Sequence, residues 1–416
     1  MLSCITREMK LLFVHECFGA FAGAEVNVLL TAAELKQRGH QLAILHGRQT
    51  GKSESTWRET FAECFPLPKS KPAKTVSSTI SQFQPDAIYV HKMADVPVIE
   101  ALVRSGRPLV RMVHDHDLYC MRSYRYNPFT RKICTRAASL YCVFPCGASL
   151  ARNRGGVLPF KWNGYHAKHK ELALNRKFQR MIVATHFMRE ELVRNRFDPA
   201  KIEIHAPVPR SAENLEQSSF SPRNLILYTG QIIRGKGVDV LLEALAKVRE
   251  PFECMIFGDG SARAQCEALC RELGLSDRVF FKGYVAQEEL KKYFRDASLA
   301  VMSSVWPEPF GAAGLEAMRH GLPVVAFDAG GIREWLVDGH NGFLVPWMDR
   351  GAFAARAEEL LRDKKLARRL GEQGRQFARE RFDFAQYISG LEEMFARVIA
   401  ECGGKEMIST EPACKA

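Results

Sequence analysis

At 416 residues with 46% apolar composition, the chain is long enough for two hydrophobic cores, and a single compact lobe is not expected. Twelve cysteines are a small share of that length, and no basic n-region, apolar stretch and cleavage site is read at the start, which argues against a disulfide scaffold and for a reducing cytoplasm. The longest apolar runs are strand-sized, which excludes a bilayer-spanning helix, and a net charge of +12 asks for an anionic partner: nucleic acid, a phosphorylated substrate or an acidic membrane surface.

The first eight residues are set aside, with Met1 and Met9 both open as the start. From Leu11 a short apolar run, a small-residue loop, a helical stretch over Glu25 to Gln37, a stop at Gly39 and a second apolar run make a βαβ unit. Runs at Ala87 to Val90, Leu109 to Val113 and Met181 to Ala184 extend it, so a first α/β domain is expected over 9–205. Residues 206–223, polar and rich in proline and serine, read as a linker. Alternating strands and helices from Leu225 to Phe327 predict a second domain over 224–380. Helical periodicity continues through Gly351 to Ala400, so 381–416 is expected to be a C-terminal helix, packing back on the first domain, and a frayed tail. Two doubly wound lobes would face a cleft lined by the strands' carboxyl ends.

In "WPEPFGAAGLEAMRHGLPVVAFDAGG", Glu308 falls on a loop and Glu316 inside a helix starting near Ala312. The amides of Phe310, Gly311 and Ala312 would then be free donors at a helix N-terminus, suited to phosphate, with carboxylates on either side suited to sugar and ribose hydroxyls. Taken alone, each glutamate reads more readily as a plain helix N-terminal acid or a solvated helix-face acid. Together, however, the stretch resembles the E-x7-E signature of retaining nucleotide-sugar glycosyltransferases of family 4, which have the GT-B fold of two Rossmann-like lobes.

The resemblance covers nearly the whole chain in order. "YTGQIIRGKGVDVLLEAL" is similar to the family's strand, glycine (Gly230), phosphate loop and helix, with Lys236 at the lysine that neutralises the donor diphosphate. Gln231 stands where the family usually has arginine, leaving Arg234 to supply that charge or diphosphate binding weaker. "MIFGDGSAR" resembles the following strand and turn at Gly258, and "RVFFKGYV" the segment whose Gly283, Tyr284 and Val285 flank the base. Near the N-terminus Gly23 matches a loop glycine, Ala22 stands where glycine is common, and His114 falls at a cleft histidine close to the transferred sugar. A lone histidine or a turn lysine is otherwise structural.

The implied activity is retaining transfer of a sugar from a nucleotide-diphosphate sugar to a hydroxyl acceptor, for polysaccharide, lipopolysaccharide or glycolipid synthesis, with no cofactor required. An epimerase or phosphorylase on the same fold and a non-catalytic nucleotide-sugar binder are the alternatives, and no nucleic-acid motif accompanies the charge. Cys120, Cys134, Cys142 and Cys146 gather in an insertion over about 116–160 and read as inert thiols or as ligands of a structural zinc or iron-sulfur group. The basic stretch Arg152 to Arg180, interleaved with Phe160, Trp162 and Tyr165, suits an anionic membrane surface, a lipid-linked acceptor or a solvated helix face, placing the protein in the cytoplasm or at the membrane's inner face.

Overall fold

The computed structural model describes residues 8–19, 23–127, 130–152, 160–162, 164–208, 218 and 223–408. Ala22, most of the linker, the tail beyond 408 and the side chains of the basic stretch through Trp162 lie outside the described residues. The chain forms two compact units: Met1–Ser123 with Arg136–Arg210 and Phe384–Ala416, and Tyr124–Thr135 with Ser211–Asp383. The cysteine-bearing insertion is thereby divided, its segment Tyr124–Thr135 clustering with the second unit.

In the first unit the strands are β1 (Lys10–Phe18), β2 (Gln41–Gln49), β3 (Glu63–Pro66), β4 (Ala87–Val90) and β5 (Leu109–Val113), followed by the hairpin β6 (Leu150–Arg152) and β7 (Phe160–Trp162), then β8 (Arg180–Val183) and β9 (Ile202–Ile204). Seven of them form one parallel sheet, ordered β3-β2-β1-β4-β5-β8-β9. Runs such as Ala87–Val90 and Leu109–Val113 are wholly buried because helices cover both faces, which is why they lack a polar alternation. Asp95 caps the helix Val96–Arg104 by accepting from Val98 N at 3.1 Å, and Thr185 caps His186–Arg194 through Met188 N at 3.2 Å. The expected helix from Glu25 begins at Gly23.

The second unit holds β10 (Leu225–Thr229), β11 (Glu253–Phe257), β12 (Val279–Gly283), β13 (Leu299–Met302), β14 (Val324–Phe327) and β15 (Gly342–Val345), all parallel in the order β12-β11-β10-β13-β14-β15. Its core gathers Ile226, Leu241, Ile256, Val301, Phe327 and Phe353 from strands and covering helices. The helix expected over Val238 to Arg249 ends at Leu245, because Lys247 N and Val248 N turn back to carbonyls three residues earlier. In both sheets the order reverses beside the first strand, between β1 and β4 and between β10 and β13, where ligands of open α/β sheets bind beyond the carboxyl ends.

Candidate functional site

In the second unit, Gly230, Gly258 and Gly283 bring the ends of β10, β11 and β12 together. Gly230 N donates to Phe257 O at 3.0 Å and Gly258 N to Gly283 O at 2.8 Å, and a methyl on Gly258 would lie 1.9 Å from Gly230 O. The loop after β10 presses on the segment after β13. Val305 N and Trp306 N both donate to Gly235 O, at 2.9 and 3.1 Å, and Ser303 Oγ donates to Lys236 O at 3.0 Å.

This register delivers Lys236 to Glu308 across the switch point, Nζ to Oε1 at 2.7 Å. The same oxygen accepts from Trp306 Nε1 at 3.0 Å and from Ser304 Oγ. All three donors converge on Oε1, and Oε2 has no protein donor among the described residues. Glu308 is 2% exposed. Burial pushes its carboxyl up, but the lysine charge and the three hydrogen bonds outweigh burial and hold it below the usual carboxylate range. It is therefore an anion at neutral pH.

Glu308 is fixed through its backbone as well, its N donating to Ala329 O at 3.1 Å and its O accepting from Gly331 N at 2.7 Å. Trp335 Nε1 holds Phe310 O at 2.6 Å, and Gly311, at φ +81°, turns the chain into the helix Ala312–Arg319. The amides of Phe310, Gly311 and Ala312 meet no backbone acceptor among the described residues. Glu316 is half-buried on that helix, where its charge acts on Arg319. Arg234 is exposed on the turn that carries Lys236. Beyond Gly283, Tyr284 is exposed and Val285 half-buried.

Sequence reasoning missed three groups here. Trp306 lies under Lys236, whose Nζ is 5.3 Å from the ring centroid, while Ser304 binds the carboxylate. Tyr124 packs on Trp306 with centroids 5.9 Å apart, Tyr126 Cε1 lies 3.5 Å from where a methyl on Gly235 would stand, and Arg131 pairs with Asp239. The tyrosines sit about a hundred positions upstream, and no local pattern links them to the lysine loop.

In the first unit, His91 and His114 follow β4 and β5, and their rings share a hydrogen bond, Nδ1 of His91 to Nε2 of His114 at 2.9 Å. Burial, against the attraction of Asp115, lowers the His114 imidazole to about 3, so it is neutral at neutral pH. Lys92 bridges Asp115 at 2.7 Å and Asp117 at 3.4 Å. His91, Lys92, Arg111, His114 and Glu171 line a cavity of about 40 Å³, large enough to hold water.

Gly23, expected on a loop, is instead the first residue of its helix, is exposed, and has open space where a side chain would point. Among the described residues nothing around it demands glycine. Glu25 is buried, 3.7 Å from His15 Nε2. Cys120, Cys134, Cys142 and Cys146 are half-buried, with Cys134 in the second unit and the others in the first. Among the described residues no group of three or more His, Cys, Asp or Glu could hold a metal ion.

Known proteins share this fold. The Anabaena protein Alr3699/HepE, solved in complex with UDP, superposes with a TM-score of 0.72 at 20% identity, covering 94% of this chain and all of that one. Sucrose-phosphate synthase from Thermosynechococcus elongatus gives 0.68 at 17% identity, over 95% of this chain and 100% of that chain. Among curated relatives, the uncharacterized glycosyltransferase MJ1607 of Methanocaldococcus jannaschii is 38% identical over 29% of this chain and 31% of its own length. A D-inositol 3-phosphate glycosyltransferase of Streptomyces bingchenggensis is 31% identical over 53% of each. The chain thus spans 31% and 53% of the length of these two relatives. Residues 21–207 match the family model Glycosyltransferase Family 4, and residues 211–377 match Glycosyl transferases group 1. On its two-lobed GT-B fold the chain carries, in order, a Glycosyltransferase Family 4 domain and a glycosyl transferases group 1 domain.

Proposed function

We propose that the chain is a retaining glycosyltransferase moving a sugar from a nucleotide-diphosphate sugar to a hydroxyl acceptor. The observation that carries this reading is Glu308, a buried anion whose Oε1 accepts from Lys236, Ser304 and Trp306 while Oε2 has no protein donor among the described residues and is left for a sugar hydroxyl. An ionised carboxylate accepts hydrogen bonds and cannot act as an acid, so Glu308 orients the sugar. As the bond from the anomeric carbon to the diphosphate oxygen breaks, its electron pair stays on the diphosphate, where Lys236, Arg234 and the amides of Phe310, Gly311 and Ala312 stabilise it. The acceptor oxygen attacks from the leaving-group face and its proton passes to the departing phosphate, which retains configuration without a covalent enzyme intermediate. Glu316 takes the ribose hydroxyls, and the backbone of Gly283, Tyr284 and Val285, with Gly230 and Gly258, accommodates the nucleoside. His114, held neutral, serves as a hydrogen-bonding group to the sugar, and Gly23 begins the helix that borders the phosphates.

Two likenesses guide the choice of donor and acceptor. HepE was solved with UDP and with UDP-glucose, which makes a UDP-sugar the first donor to try. A lipopolysaccharide core glycosyltransferase of Rhizobium meliloti, 33% identical over 46% of its length, supports an envelope polysaccharide or glycolipid acceptor, with an anionic membrane surface as partner. The test is a panel of UDP-, GDP- and ADP-sugars read by diphosphate release and thermal shift, with Glu308→Ala and Lys236→Ala alongside. Release with one donor, lost in both variants, and an unchanged anomer in the product support the reading. An inverted anomer removes the retaining assignment, stabilisation without release in any acceptor mixture points to a binder, and silence with every donor sinks it.

A further inference from the structure

We propose that the turn Leu140–Phe144 docks the first unit on an anionic lipid bilayer. The inference narrows the membrane partner of the proposed function to one surface, and its test uses neither donor nor acceptor, so either reading can fail without the other. From Leu118 to Lys170 the sequence holds ten Lys and Arg and no Asp or Glu, which concentrates most of the net charge of +12 in about an eighth of the chain. Among the described residues Arg131 meets Asp239, Lys168 meets Glu171 and Lys170 meets Glu100, all acids from outside the stretch. Near its middle, the stretch exposes what a soluble surface ordinarily hides. Leu140 is 70% and Phe144 84% exposed, the two largest apolar exposures among the described residues of the first unit, and Phe144 N donates to Leu140 O at 3.1 Å, so the pair stands side by side on one helical turn.

The turn is held rigidly. Ala148 N returns to Cys142 O at 2.8 Å, Arg122 donates to Cys146 O at 2.6 Å, and the Arg136 guanidinium lies 4.4 Å over the Tyr141 ring. Ala138 N donates to Asn195 Oδ1 at 2.9 Å and Arg176 to Asn195 O, which sets the turn beside exposed Lys177 and Arg196. The nearby acid Asp198 is engaged in capping Ala200 N at 3.0 Å. Two projecting apolar side chains beside the first unit's Arg122, Arg136, Lys177 and Arg196 fit a surface that is negative outside and hydrocarbon within. A protein partner of ordinary composition has no such ordering of charge and oil.

The full chain is centrifuged with vesicles of phosphatidylcholine alone and of an equimolar mixture of phosphatidylcholine and phosphatidylglycerol. Wild type should partition to the anionic vesicles at least about tenfold better than to the neutral ones, and Leu140→Ser/Phe144→Ser should lose about tenfold of that while melting unchanged, its targets being solvent-exposed. A second variant, Lys177→Glu/Arg196→Glu, should lose the anionic preference with the apolar pair intact. Undiminished binding by the first variant overturns the docking turn, and equal binding to both vesicles overturns the charge argument. No binding to either, with self-association that the Ser variant abolishes, would assign the turn to a second copy and overturn the bilayer.

Discussion

Glu308 keeps its charge in a place where charge is expensive, and Lys236 is the reason. Lys236→Ala leaves the anion with two neutral donors, Ser304 and Trp306, and should cost roughly 3 kcal/mol of stability in urea denaturation while abolishing diphosphate release. Because the folded carboxyl titrates below its unfolded value, the pair contributes fully above about 4.5, and its contribution disappears as pH falls through the folded value. Acid melts of wild type and Glu308→Gln should therefore diverge above that window and converge below it. His114 works in the other direction. Its folded value near 3 lies under the unfolded value of 6.5, so between them the unfolded chain binds the extra proton and stability rises with pH, levelling above about 6.5. His91 and His15, both lowered by burial, add to that slope. His114→Asn should flatten it by at most about 1.4 kcal/mol per pH unit, measured by denaturant titration between about pH 5 and 7; an unchanged slope would mean that His114 already protonates in the fold.

At the scale of elements, the lysine loop depends on a segment far away in the sequence. Tyr124–Thr135 belongs to the second unit, with Tyr124 on Trp306, Tyr126 against Gly235 and Arg131 on Asp239. Trp306 in turn donates to Glu308 and underlies Lys236, so the segment supports the site without touching the carboxylate. Tyr124→Ala removes one aromatic contact, about 0.5 to 1.5 kcal/mol, and should raise donor KM roughly two- to tenfold with little change in melting temperature. Equal losses of KM and melting temperature would make the contact merely structural. The regular elements were legible from the residues: β4, β5 and β13 and the helix Ala312–Arg319 lie where apolar runs, Gly311 and Gly321 set them. The aromatic segment was not, since packing at a sequence separation above one hundred leaves no periodicity to read.

For the whole molecule, the consequential crossing is the last one. After Asp383 the chain leaves the second unit, and the helix Phe384–Ile408 completes the core of the first, with Phe395 edge-on to Tyr89 at 5.1 Å and Glu392 bound by Arg38 at 2.7 Å and His40 at 2.8 Å. Truncation after Asp383 strips Leu391, Met394, Phe395 and Val398 from that core, at about 1.5 to 3 kcal/mol for each buried side chain. That sum is comparable to the stability of a typical domain. The first unit should then be degraded in limited proteolysis while the second persists; a protected first unit would show the helix to be dispensable.

By itself the sequence determined what depends on neighbours along the chain: strands, helices, their alternation into two parallel sheets, and the glycines and glutamates at their ends. Those follow from periodicity and backbone sterics, which act over a few residues. Only the tertiary structure decided that Lys236 meets Glu308, that all three donors fall on Oε1, that His91 binds His114 and that Leu140 and Phe144 stand in solvent. Hydrogen bonds and burial are set by distance in space, and two residues seventy positions apart acquire one only when the strands carrying them lie side by side.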